Sequence, residues 1–235
     1  MPTVLITGSS RGLGLEFARQ YSDLKWKVIA TCRNIERATE LKNISGDIHI
    51  YQMDIGSEQE ILRTSKQLEG TEIDVLINNA AVHGPKDNSA SFGNLNSQKW
   101  SDTFKINTIG PLKVTEAFLN NVKKSVEKKI VFLSSRGGSI SERGKLPHHK
   151  PGGSYIYRSC KAALNAATQS LGFDLKDEGV SIVSLHPGYV TTDMSNVDTG
   201  LDAQTSVSGM IQVISRATTL ENDKFFTFEG ELIPW

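Results

Sequence analysis

Short apolar runs recur along this chain, and each ends in a polar or glycine cluster. Val4-Leu5-Ile6 ends in Thr7-Gly8, and Val28-Ile29-Ala30 ends in Thr31-Cys32-Arg33-Asn34. Ile48 to Gln52 leads to Asp54, and Ile73 to Ile77 leads to Asn78-Asn79-Ala80-Ala81. Ile130 to Leu133 ends in Ser134-Ser135, and Ser181 to Leu185 ends in His186-Pro187-Gly188. Runs that are apolar throughout suit strands buried on both faces, as in parallel sheets. Helix-patterned stretches separate them: 15–23, 35–42, 57–68, 99–124 and 156–176. This alternation predicts one α/β domain over residues 1–235, a doubly wound parallel sheet of about seven strands flanked by helices. No internal repeat, low-complexity tract or domain boundary interrupts it.

The polar clusters all fall at the carboxyl ends of the strands, where such sheets bind ligands. The first is Gly8-Ser9-Ser10-Arg11-Gly12-Leu13-Gly14, a glycine-rich turn between a strand and a helix. Glycines let a backbone turn tightly and approach a pyrophosphate at the helix N-terminus. A tight strand-to-helix turn also favours glycine for its own sake, so the segment acquires meaning only in context. Two loops stand apart, 82–98 and 137–154, the second rich in glycine and carrying His148-His149-Lys150. That histidine pair has no carboxylate or cysteine at ligand spacing, so no metal is expected.

Composition narrows the function. Hydrophobic residues at 38% and charged residues at 22% fit a soluble globular chain. Twenty-six Lys and Arg balance 26 Asp and Glu, so neither a nucleic-acid surface nor a membrane surface is indicated. No apolar run reaches the ~18 residues of a spanning helix, and a strand starting at Thr3 leaves no room for a signal peptide. Cys32 and Cys160 fit neither a disulfide framework nor a metal site, and two free thiols point to a reducing compartment, the cytoplasm.

Tyr157-Arg158-Ser159-Cys160-Lys161 opens a long amphipathic run, and in a helix Tyr157 and Lys161 stand one turn apart on one face. A phenol with a pKa of ~10 is a poor acid or base at neutral pH. An ammonium within ~4–6 Å lowers that pKa and readies the pair to exchange a proton with a substrate oxygen. Taken alone, the same spacing describes many surface tyrosines and lysines.

Together the motifs resemble the short-chain dehydrogenase/reductase family along the whole chain, and the resemblance implies a Rossmann-like fold. Gly8, Ser10, Arg11, Gly12, Leu13 and Gly14 look like its cofactor loop, and Asp54-Ile55 like its adenine-contacting segment. Asn79-Ala80-Ala81 looks like the end of its Asn-Asn-Ala-Gly signature, with Ala81 in place of glycine. Asn107 resembles the helix asparagine that bends the chain and holds a water. Ser135, Tyr157 and Lys161 match the remaining catalytic positions, and Pro187, Gly188, Val190 and Thr191 the segment closing over the nicotinamide. Ser135 lies further ahead of Tyr157 than is usual, which implies an insertion over 139–153; Gly144, at the usual spacing, has no side chain to act. Residues 155–165, 184–194 and 226–235 are similar to the C-factor and sniffer-type carbonyl reductases within the family.

The resemblance implies hydride transfer between nicotinamide C4 and a carbonyl or alcohol carbon. Tyr157 would give its proton to the developing alkoxide, and Ser135 would hydrogen-bond that oxygen. Lys161 would lower the Tyr157 pKa and hold the nicotinamide ribose, and Asn107 would position a water linking Lys161 to solvent. Tyr155 is expected to line the cleft. NADP(H) is expected over NAD(H), because the second strand ends in the uncharged Cys32 followed by Arg33, with Arg11 near the same corner. An NAD-preferring site has a carboxylate there, whereas a guanidinium pairs with phosphate oxygens. The implied partners are a small carbonyl substrate and further copies of the chain, a homodimer or homotetramer through helices near 108–125 and 157–176. The alternative, drawn from the C-factor relatives, is a signalling protein in which NAD(P) binding rather than turnover matters.

Overall fold

The computed structural model describes residues 1–145, 154–191 and 200–235. Seven strands form one parallel sheet: β1 (Thr3–Thr7), β2 (Lys27–Cys32), β3 (Ile48–Gln52), β4 (Val75–Asn78), β5 (Lys129–Leu133), β6 (Ser181–His186) and β7 (Phe225–Thr227). The helices between them are α1 (Gly12–Asp23), α2 (Thr39–Lys42), α3 (Glu58–Gln67), α4 (Ser97–Phe104), α5 (Gly110–Lys124), α6 (Tyr155–Asp174) and α7 (Ala203–Arg216). The sheet order is β3-β2-β1-β4-β5-β6-β7. The chain works outward from β1 to β3 and then crosses back to β4, so the order reverses between β1 and β4. A crevice opens at the strand ends at such a reversal, and ligands bind there.

Period-two alternation within each strand divides the core. Val4 and Ile6 of β1 face α1 and α7 together with Phe17, Tyr21, Val207 and Met210. Leu5, between them, faces the opposite layer with Ile61, Val114, Phe118 and Leu164 of α3, α5 and α6. Both layers are buried, which is why the strands read as apolar throughout rather than alternating.

Helix 35–42 shrinks to Thr39–Lys42, because the Asn34 side chain accepts a hydrogen bond from Arg37 N and holds a turn there. β4 begins at Val75 rather than Ile73; the Ile73 amide is already spent on the Asn121 carbonyl. The long helix 99–124 is three pieces, since a π-helical turn, Lys105–Ile109, separates α4 from α5. Single π turns insert an extra residue and often mark functional sites; this one contains Asn107. Of the 139–153 insertion, 146–153 lie outside the described residues, as do 192–199 of the segment after Thr191. Among the described residues, no helix is long and apolar enough to cross a membrane.

Candidate active site

The ends of β1, β2, β3, β4 and β5 and the first turns of α1 and α6 enclose a cleft of about 220 Å³. Gly8, Ser10, Arg11, Gly12, Leu13 and Gly14 form one wall. Arg33, Asp54 and Ile55 form the far end, and Asn79, Ala80 and Ala81 line the β4 side. Tyr157, Lys161 and Pro187 close the near end. Gly188, Val190 and Thr191 do not line it. Val190 is buried in a bridge to Leu201, and the Thr191 amide donates to the Leu201 carbonyl. The cleft also takes in Met53, Val82, Ile106, Leu133 and Ser134, apolar or small residues whose contribution only the fold reveals.

The glycine wall is suited to an anion. Arg11 caps α1 with extended backbone, and its side chain makes no cap hydrogen bond to the first turn. The first turn carries no acidic residue. The positive end of α1 therefore faces the cleft without an acid of its own first turn, as phosphate sites at helix N-termini do. Asn79 braces the wall from β4: its Nδ2 donates to the Thr7 and Gly8 carbonyls at 2.8 and 3.1 Å. The Thr7 hydroxyl in turn accepts from the Asn79 and Ala80 amides, both at 3.0 Å.

At the near end, α6 places Tyr157 and Lys161 on one face, as the spacing predicts. Ser135 stands beside Tyr157: a Cβ built at Gly137 would lie 3.2 Å from the Ser135 hydroxyl and 3.8 Å from the Tyr157 ring, and that hydroxyl accepts from the Gly137 amide at 3.0 Å. Ser135 therefore belongs to the site despite its distance in sequence. Burial raises the phenol's pKa, and the neighbouring Ser135 hydroxyl pulls it back by less. This direction is opposite to the lowering expected from Lys161. The Lys161 ammonium donates instead to the Leu133 carbonyl at 2.8 Å.

Burial also pushes Lys161 down to about 8. A lysine disfavoured as a cation in the fold costs stability below that pH. The cost disappears as pH rises from about 8 toward the unfolded value near 10.5, because the unfolded chain then binds the extra proton. Replacing Lys161 by methionine removes this dependence. In urea denaturation, the stability of Lys161→Met relative to the wild type is expected to fall by roughly 2–3 kcal/mol between about pH 7 and about pH 10.5. A pH-independent difference would show that the buried ammonium is not destabilised.

Asn107 is fully buried on the π turn, and Val82 engages both ends of its amide. Its Oδ1 accepts from Val82 N at 2.8 Å, and its Nδ2 donates to Val82 O at 2.7 Å. The group expected to hold a water for Lys161 is thus turned to the loop after β4, which it clamps. Tyr155 does not line the cleft; it is 40% exposed, with its ring against Phe92. No sequence signal singled out His83, whose ring stacks on that of Tyr157. Cys160 is buried beside Ile156, and burial pushes its thiol up to about 11. Cys32 is 2% exposed at the cleft's far end, its thiol also raised by burial. Among the described residues, no three His, Cys, Asp or Glu side chains could hold a metal ion; His148 and His149 lie outside them.

A family profile described as short chain dehydrogenase matches residues 2–200. The chain is 39% identical to the C-signal protein of Myxococcus xanthus over 163 residues, 69% of this chain and 93% of that one. Its fold is similar to that of the carbonyl reductase Sniffer of Drosophila melanogaster, with a TM-score of 0.88 and 34% identity over the whole of both chains. It is likewise similar to an NADPH-bound carbonyl reductase from chicken fatty liver, with a TM-score of 0.90 and 30% identity over 100% of this chain and 99% of that one.

Proposed function

Since the chain belongs to the short-chain dehydrogenase family, we propose that it is an NADP(H)-dependent carbonyl reductase in which Tyr157 is the proton donor. The observation carrying this reading is the placement of Ser135 beside Tyr157, which lines the glycine-walled cleft, with Lys161 one turn further along α6. The residues present fit a dinucleotide: an uncapped helix N-terminus for its phosphates, and Arg11 and Arg33 at the ribose end. A bound nicotinamide supplies the hydride. Tyr157, with a raised pKa, stays protonated at neutral pH and gives its proton to the substrate oxygen as negative charge develops there. Ser135 donates a hydrogen bond to the same oxygen, a preorganised donor of the kind that carries much of such catalysis. Lys161, tied to the Leu133 carbonyl, stands in the cleft wall to hold a ribose hydroxyl.

The preference for NADP(H) is supported at the end of β2. There the Cys32 thiol bears no charge and the exposed Arg33 follows it. A 2′-phosphate meets a guanidinium at this corner instead of the carboxylate that would repel it. Two of the most similar solved proteins named above are carbonyl reductases, and one of those holds NADPH.

The test is coenzyme consumption over a panel of aldehydes, ketones and quinones. NADPH is expected to give at least about tenfold higher kcat/KM than NADH, the effect of one charge-assisted hydrogen bond. Arg33→Asp is expected to reverse that ratio. Equal efficiency with both coenzymes would remove the argument from Arg33. A second reading has one specific support, the 39% identity to the C-signal protein: a signalling role resting on coenzyme binding. Tight NADPH binding without turnover anywhere on the panel would favour it. The assembled Ser135–Tyr157 pair argues for turnover, since binding alone has no need of a proton donor.

A further inference from the structure

His83 lays its imidazole against the Tyr157 phenol, with ring centroids 5.2 Å apart and planes inclined by only 9°. Its Nδ1 is buried and has no hydrogen-bond partner among the described residues. Hydrogen bonding at that nitrogen therefore does not hold the ring in place; the backbone on either side does. Upstream, Val82 is clamped by both ends of the Asn107 amide. Downstream, Gly84 has φ +78° and lies close to α4 and α6. A Cβ at Gly84 would stand 3.1 Å from Thr103 Oγ1 and 3.5 Å from Ile156 Cγ2. A positive φ and this fit both call for glycine. Ile156 directly precedes Tyr157, so the segment carrying the imidazole is pinned to the helix carrying the phenol. Burial, and then the nearby Lys86 charge, lower the His83 pKa. The ring is neutral near pH 7 and stacks without placing a charge on the phenol face. A parallel-displaced arrangement is one that aromatic pairs prefer.

The geometry points to His83 as a positioning residue: its imidazole plane holds the Tyr157 ring where the phenol meets the Ser135 hydroxyl and the substrate oxygen. This rests on the reading of Tyr157 as the proton donor. It also gives the Asn107 clamp a purpose, since the clamp fixes the loop from which His83 reaches the phenol. A misplacement of about 1 Å in a catalytic group is enough to cost on the order of a hundredfold in rate.

The experiment compares wild type, His83→Ala and His83→Phe in three readouts: kcat and KM for a reducible carbonyl compound, NADPH affinity, and phenol ionisation. Ionisation is followed in the ultraviolet as the difference between each protein and its Tyr157→Phe counterpart. His83→Ala is expected to lower kcat by about tenfold to about a hundredfold, with NADPH affinity unchanged. Its Tyr157 ionisation moves down toward the ordinary phenol value, because water reaches the uncovered face. His83→Phe, which keeps the plane and discards the nitrogens, is expected to restore kcat to within about threefold and to keep the raised ionisation. Full activity and an unmoved phenol in His83→Ala would overturn the proposal. So would a His83→Phe as slow as His83→Ala, which would mean that a ring nitrogen is the working part. Absence of turnover in the wild type would sink the reductase reading, while the phenol ionisation of the three proteins would still decide the role of His83.

Discussion

Tyr157→Phe is expected to lower kcat for carbonyl reduction by about a thousandfold while leaving NADPH affinity within about twofold, a loss in the range of a general acid or a preorganised oxyanion donor. The substitution removes one oxygen and keeps the ring. Stacking on His83 and the packing of α6 are therefore retained, and the loss reports the proton alone. Ser135 then has no phenol to meet, but its hydroxyl still accepts from the Gly137 amide, so the loop keeps its shape. Steady-state kinetics and coenzyme titration on the same preparation make the measurement. Near wild-type reduction by the variant would refute the assignment of the acid.

Gly14→Ala is expected to destabilise the fold by about 3–5 kcal/mol and to weaken coenzyme binding by at least about a hundredfold. Two effects oppose each other here. Alanine is the better helix former by ~1 kcal/mol, so at an exposed position in α1 it would stabilise. At position 14 its Cβ would stand 2.2 Å from the Gly8 carbonyl oxygen and 2.5 Å from Asn79 Nδ2. The first is backbone and cannot turn aside. The second is the amide that ties the glycine wall to β4 through the Thr7 and Gly8 carbonyls. Relieving the contact breaks that brace or lifts α1 off the strand ends, and either movement spoils the phosphate wall. Sterics outweigh propensity. Urea denaturation compares the two: a more stable Gly14→Ala would show that the close approach is not real.

How far the sequence could be read depended on how local the signal was. The strands, the glycine turn and the Tyr157–Lys161 pair are written in neighbouring residues, and each was legible. So was the place of Cys32 and Arg33 at the end of β2, where both line the cleft. Ser135 could be assigned only by combining a strand end with a family resemblance, and its approach to Tyr157 spans the insertion. What escaped was set by contacts between distant segments. The stacking of His83 on Tyr157 joins the loop after β4 to α6. The Asn107 amide turns to Val82 rather than toward Lys161, and no spacing along a helix encodes that. The direction of the Tyr157 shift was misread because a charge partner was counted and burial was not; in the folded chain, desolvation is the larger effect.

The state of the two thiols has a consequence for the durability of the protein. Unsaturated aldehydes and quinones are electrophiles, and it is the thiolate that they alkylate, not the thiol. Cys160 lies three residues from Tyr157, yet it is fully buried and burial pushes its thiol up to about 11. Cys32 is nearly covered and also raised. At neutral pH almost no thiolate is present at either place. An electrophile of this kind, were it the substrate, would meet a thiol rather than a thiolate at either position, and alkylation of the protein by its own substrate would be slow.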